Sequence, residues 1–181
     1  VISVLKVWGS PYEMGYAHGA LCKDRIKAFY ARFLFGMSVG MQVTPAQLDG
    51  IWKQMESFVP ANLKEEMQGL ADGAGVDINT VHLVHVVPDL SEFHCTFFAA
   101  WGPASKNGHL QQIRALDYAT EAGIQQEPAL IVQIPDDGYA FVNIGWLGFV
   151  GCISGMNEAG IALSEIGEDF GYADETLAGE P

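Results

Sequence analysis

Positive charge is scarce in this chain of 181 residues: nine lysines and arginines stand against 22 aspartates and glutamates, a formal net charge of −13. So acidic a surface repels phosphate backbones and anionic lipid, which excludes nucleic acid and a negatively charged membrane as main partners. Cysteine is scarce as well. Cys22, Cys95 and Cys152 are odd in number and far apart with no C-x-x-C pair, so neither a disulfide framework nor a cysteine zinc site is indicated and at least one thiol is free. No G-K-[ST] follows the glycines at 9, 15 and 19, which leaves a nucleotide-binding phosphate loop without support. The chain opens on Val1 without a basic stretch and an apolar stretch behind it, so any targeting segment is expected to have been removed. The longest run without a charge begins at Gly138 and would in length alone admit a membrane-crossing helix. Gly138, Gly145, Gly148, Gly151 and Gly155 punctuate it, and it is rich in aromatic and β-branched residues, so buried strands with tight turns are expected and no membrane span.

What the chain does have is core-forming material: 49% of it is hydrophobic, with 10 Phe, 6 Tyr and 4 Trp, enough for one domain. The first half is helical in pattern. Ser10-Pro11-Tyr12-Glu13 combines an N-cap serine, a proline at the first helical position and a glutamate three residues after the cap, which predicts a helix through about Phe35. Gly15 and Gly19 share a face of it and suggest close helix packing. Further helices are expected after Thr44-Pro45-Ala46-Gln47, from about Ala61 to Ala71, and from Asp77-Ile78-Asn79-Thr80 to near Pro88. From Cys95 the period becomes that of strands. Hairpins are expected around Asn107-Gly108, around Pro135-Asp136-Asp137-Gly138 and around Met156-Asn157-Glu158-Ala159-Gly160. Helices followed by an antiparallel meander is an α+β pattern, with the switch at His94-Cys95.

Chemistry gathers at that switch. Cys95 read from position alone is a buried small hydrophobe, as most free cysteines are. Arg114 and Asp117 close the second strand, and a cationic arginine beside a thiol favours its nucleophilic form while a carboxylate could orient a base. In a regular strand these two point to opposite faces, so both reach one thiol only if the strand ends or bulges between them. His82 and His85, three apart on a helix with His94 nearby in sequence, make a metal conceivable, but no carboxylate or cysteine completes a ligand spacing, so neither metal nor cofactor is expected. His94 could serve Cys95 as a base, although neighbours on an extended segment diverge.

Five stretches in order resemble one family: Gly9-Ser-Pro-Tyr-Glu-Met-Gly15 with His18-Gly19; Gly69-Leu-Ala-Asp-Gly-Ala-Gly75; Cys95-Thr96 with Phe98-Ala-Ala-Trp-Gly102; Arg114-Ala-Leu-Asp117-Tyr118; and Gly155-Met-Asn-Glu-Ala-Gly160. They are similar to the N-terminal-nucleophile hydrolases of the acyl-coenzyme A:6-aminopenicillanic-acid acyltransferase type, related to acid ceramidase, N-acylethanolamine acid amidase and bile-salt hydrolases. The resemblance implies an αββα sandwich and a precursor that cleaves itself between His94 and Cys95, residues 1–94 forming a helical pro-segment or small subunit and 95–181 the first part of a β-rich subunit. It also implies an acyl-Cys95 intermediate on an amide or thioester of an acylated small molecule, with Arg114 and Asp117 tuning and orienting the nucleophile and Thr96, Tyr118 and Asn157 as supporting positions. Asn157 reads equally well as a turn residue tolerating positive φ. The chain departs from the family at Ala115, where an asparagine is common. It also lacks the downstream asparagine of the oxyanion hole, a donor commonly worth ~2.7–4 kcal/mol of transition-state stabilisation. Members are considerably longer, so the resemblance implies an incomplete domain whose apolar strands meet a missing C-terminal segment or another subunit. Two rival readings stay open: a non-catalytic relative that binds an acylated ligand or partner chain, and a thiol hydrolase active without self-cleavage.

Overall fold

The computed structural model describes residues 1–90, 95–117, 120 and 123–166. The chain is α+β. A first strand, β1 (Ser3–Gly9), leads into five helices: α1 (Pro11–Leu21), α2 (Lys23–Met41), α3 (Pro45–Met55), α4 (Ala61–Ala74) and α5 (Ile78–Val86). A short 3-10 turn (Val87–Leu90) ends this half. Strands β2 (Cys95–Gly102), β3 (Gly108–Leu116), β4 (Pro128–Pro135), β5 (Phe141–Trp146), β6 (Ser154–Asn157) and β7 (Ala162–Ser164) follow.

The capping signals hold to the atom. Ser10 Oγ accepts the Glu13 amide while the Ser10 amide donates to Glu13 Oε2 at 2.8 Å, and Thr44 and Gln47 repeat the exchange at α3. The Ser10 amide and the Ser10 hydroxyl, both donating to Glu13 Oε2, hold the Glu13 carboxyl below the usual carboxylate range. Asp77 caps α5 through the Asn79 amide, and Gly75, at φ +65°, ends α4 within the Gly73-Ala74-Gly75 stop, the helix running on from the expected Ala71 to Ala74.

Three expectations need correction. The helix predicted through Phe35 is two helices, broken at Cys22, the second running on to Met41. Nothing at Cys22 signals a break; the chain turns there so that Ile26, Phe29, Tyr30 and Phe33 of α2 enter the core that α1 lines with Met14 and His18. The first half is also not purely helical, because β1 precedes it and pairs in parallel with β4, from Ser3 opposite Ala129 to Gly9 opposite Pro135. Its alternation, Leu5 and Val7 buried against Val4 and Trp8 exposed, is the half-buried strand period. Finally, the strands are not one meander. β4, β5, β6 and β7 run antiparallel in sequence order with β1 at the edge, while β2 and β3 form a separate hairpin.

The glycine face of α1 does what close packing requires, and it has a matching partner. Gly15 and Gly19 lie against the carbonyls of Glu66 and Leu70 on α4, and Gly69 and Gly73 of α4 lie against those of Tyr12 and Tyr16 on α1, so a Cβ at any of the four would overlap opposing backbone. Two of the five family-like stretches are therefore a helix–helix contact. The helices cover one face of the five-stranded sheet, where Leu5, Val7, Ala129, Ile131 and Gln133 are buried. Register puts Val4, Trp8, Ile144 and Met156 on the other face, each more than half exposed. No helix among the described residues is long and apolar enough to cross a membrane.

Candidate active site

Cys95 is the first residue of β2 and stands opposite Leu116, the last residue of β3; Arg114 stands opposite Phe97. Directly opposed residues share a face, so Cys95 and Arg114 are diagonal neighbours on one face, within reach of a long side chain. The Arg114 Nη2–H donates to Cys95 Sγ at 3.4 Å. The guanidinium is clamped from the other side by a residue that the sequence reading did not single out. Its Nη2–H also donates to Glu165 Oε2 at 2.7 Å, and its Nε–H to the Glu165 carbonyl at 3.0 Å. Only 7% of the Arg114 side chain is exposed, against 48% of that of Glu165. The Glu165 amide in turn donates to the Ile153 carbonyl at 2.8 Å, beside the β6–β7 ladder, and Gln112 Nε2 donates to Ser164 Oγ. The hairpin thus docks onto the end of β7 through polar contacts that converge on the thiol.

Asp117 meets the condition that the sequence imposed. β3 ends at Leu116, the register partner of Cys95, so Asp117 lies just past the strand. It is exposed and has no hydrogen bond or ion pair among the described residues, so the partner of Arg114 is Glu165 and not Asp117. Thr96 is exposed on the opposite face of the hairpin, facing Ala115, and takes no part in the cluster. His94 and Tyr118 lie outside the described residues. Asn157 is the last residue of β6 and closes the turn that follows: its Oδ1 accepts the Ile161 amide at 2.9 Å, and the positive φ of the turn belongs to Gly160. Glu165 gave no local signal, since it is 51 residues from Arg114 and follows a three-residue strand.

The other cysteines differ from Cys95 in surroundings. Burial pushes the Cys22 thiol up, with Arg25 opposing, and burial pushes the Cys152 thiol up, with the Ser154 amide opposing. Of the three, Cys95 is the one with a guanidinium N–H on its sulfur.

His82 and His85, the described members of the suggested histidine group, are engaged elsewhere. His82 stacks on Trp52 with ring centroids 3.9 Å apart, and both ring nitrogens of His85 are occupied, Nδ1 by the Val81 carbonyl at 2.7 Å and Nε2 by the Val150 amide at 2.9 Å. Among the described residues no group of three or more His, Cys, Asp or Glu is placed to hold a metal ion.

No protein-family profile matches the chain. It is similar to two proteins of Dictyostelium discoideum, protein dcd1B, 30% identical over 87% of this chain and 36% of that protein, and protein dcd1A, 26% identical over 87% of this chain and 43% of that protein. An uncharacterized protein of Archaeoglobus fulgidus is 30% identical over 86% of this chain and 31% of its own length. The chain therefore spans between 31% and 43% of the curated relatives it matches.

Proposed function

We propose that the chain is the nucleophile-bearing part of a self-cleaving N-terminal-nucleophile enzyme, with Cys95 acting on the amide or thioester of an acylated small molecule. The observation that carries the reading is a thiol at the first position of a strand with a buried guanidinium on its sulfur. In the precursor, Cys95 Sγ attacks the His94 carbonyl carbon. The C–N bond to Cys95 breaks as its nitrogen takes the proton from sulfur, leaving a thioester, and water hydrolyses that thioester to the His94 carboxylate and a free thiol. Cys95 is then a chain terminus, and because an unperturbed α-amino group titrates at about 7.7–8.0 it suits taking the thiol's own proton at neutral pH. The same sulfur attacks the substrate carbonyl, the leaving amine or thiol takes a proton, and the acyl group passes from Cys95 to water or an amine. Arg114 holds the sulfur. In this reading Asp117, which follows the register partner of Cys95, orients the new amino group.

The fold reading that goes with this is the four-layer αββα sandwich. The helices and the five-stranded sheet would be two of its layers and the β2–β3 hairpin the start of the third, with the apolar face of Val4, Trp8, Ile144 and Met156 covered by a further segment of a longer protein or by another subunit.

Intact mass under denaturing conditions tests the reading, on a full-length protein as well as on the present chain. Two wild-type fragments meeting at Cys95, and one uncut species for Cys95→Ala, are expected. A folded full-length protein that stays whole, and whose Cys95 is alkylated by iodoacetamide no faster than Cys22 or Cys152, would overturn it.

A further inference from the structure

The turn Leu147 to Val150, between β5 and β6, is pinned to the helices by side chains that the proposed chemistry does not use. The Gly148 amide donates to His18 Nε2 of α1 at 3.0 Å, and the Val150 amide donates to His85 Nε2 of α5 at 2.9 Å. Tyr30 of α2 donates its hydroxyl to the Gly148 carbonyl. Because His85 Nε2 accepts, its proton sits on Nδ1, which donates to the Val81 carbonyl. Two imidazoles from two helices thus accept amides two residues apart, and an imidazole can accept only while it is neutral. Gly148 and Gly151 flank this grip at φ +85° and +94°, a backbone free to re-aim once the bonds are gone.

We propose that His18 and His85 form an acid-releasable latch, which holds the β5–β6 turn to the helical layer near neutral pH and lets it go when both imidazoles take a second proton. Burial lowers both to about 4, His18 further opposed by His85 and His85 by His82. Of the neighbours, the Val81 carbonyl on His85 Nδ1 favours a charge there, without offsetting the burial. Tyr30 of α2 is held neutral by burial, Glu66 of α4 turns its carboxyl to Gln133 of β4, and Asp49, Glu56 and Asp77 act on the more exposed His82. For a histidine whose folded pKa lies below its unfolded one, the stabilisation is full above about 6.5 and is lost as the pH falls toward the folded value. Tyr30 does not titrate in this window, so one bond of three persists and the turn is loosened while remaining tethered. What loosens with it is the segment leading into β6 and β7, whose Ser164 and Glu165 hold Gln112 and Arg114.

Hydrogen exchange of the Gly148 and Val150 amides, expressed as protection relative to the intrinsic rate at each pH, tests the latch in the wild-type chain between pH 7 and pH 4. Protection is expected to fall at least tenfold, with the amides inside α4 unchanged. In His18→Gln with His85→Gln, where an amide oxygen can accept without titrating, that fall should be absent. Protection that is flat in the wild type, or falls equally in the double variant, overturns the proposal. Should the double variant fail to fold, imidazole NMR titration of the wild type decides. Both rings titrating below 5 together with the Gly148 and Val150 amide shifts supports the latch, and either ring titrating near 6.5 with those amides unmoved overturns it.

Discussion

The helical layer and the β2–β3 hairpin solve opposite problems. In the first, Ile26, Phe29, Phe33, Leu70, Val81 and Val84 are almost wholly buried, and four glycines let α1 and α4 meet backbone to backbone. In the second, Phe98, Trp101, Leu110 and Ile113 are more than half exposed, and what docks the hairpin end against β7 is a set of polar contacts around Arg114. One region is rigid because nothing else fits its space. The other is specific because a few donors and acceptors match. Substitutions should therefore divide: in the helical layer they change stability, and around Arg114 they change chemistry.

The largest effect should come from the glycine contact. A valine at Gly69 puts three carbons where the Tyr12 carbonyl and Tyr16 amide already sit, so the helices must separate along their whole crossing. Overpacking of this kind costs about 1–3 kcal/mol where side chains can yield, and here the obstacle is backbone, so a loss at or above that range or outright failure to fold is expected. Urea unfolding of Gly69→Val measures it, and a loss below about 1 kcal/mol would mean that the contact is looser than its geometry. Cys95→Ala is the converse: self-cleavage lost altogether, with unfolding free energy within about 1 kcal/mol of wild type because Cys95 is only partly buried.

How much of this was legible follows the same division. Capping boxes and hairpin turns were readable because each is a bargain among residues a few positions apart, as at Ser10 with Glu13 and at Asn157 with Ile161. The glycines of α1 were readable as a packing face, but their counterparts on α4 were not, since α2 and α3 come between Gly69 and the Tyr12 it meets. β1 went unread because its partner lies 126 positions on, Ser3 opposite Ala129, after all five helices and a hairpin. The pair Cys95 and Arg114 was legible as a thiol and an arginine on successive strands, its family role came from resemblance, and the structure adds the hydrogen bond. Glu165 and the two histidines that hold the β5–β6 turn from the helices needed the fold, for no periodicity links a residue to a backbone amide 130 positions away.

A smaller effect tests whether the helical layer is as inert to pH as its packing suggests. Glu66 is buried on α4, with Gln133 donating to its Oε1 at 2.9 Å, and burial pushes its carboxyl up to about 7 against the opposing pull of that bond. A carboxyl with a raised folded pKa lends stability that is full below about 4.5 and is lost as the pH rises through 7. The shift corresponds to an upper bound of about 3 kcal/mol between pH 5 and pH 8. Glu66→Gln keeps an acceptor for Gln133 and removes the titration, so its stability relative to wild type should improve from pH 5 to pH 8. An unchanged difference across that range would show Glu66 to be solvated in the folded chain.

The smallest expected effect bears on the hairpin, and it separates position from charge. Arg114 has two holds on Glu165, the carbonyl through Nε and the carboxylate through Nη2, and any substitution at Glu165 leaves the first in place. Glu165→Ala removes the second, so the Nη2 that reaches Cys95 Sγ keeps its charge and loses the partner that aims it. Losing one charge-assisted hydrogen bond of this kind, half exposed, should slow self-cleavage and Cys95 alkylation by about tenfold, which is about 1.4 kcal/mol. Glu165→Gln keeps an oxygen for the Nη2–H and gives up the charge. If aim is what matters, the glutamine variant stays within about threefold of wild type; if the carboxylate acts through its charge, it falls as far as alanine. Equal rates in all three would leave the main-chain carbonyl as the whole clamp, and the hairpin would then be held against β7 as indifferently to side-chain chemistry as the helices are held to one another.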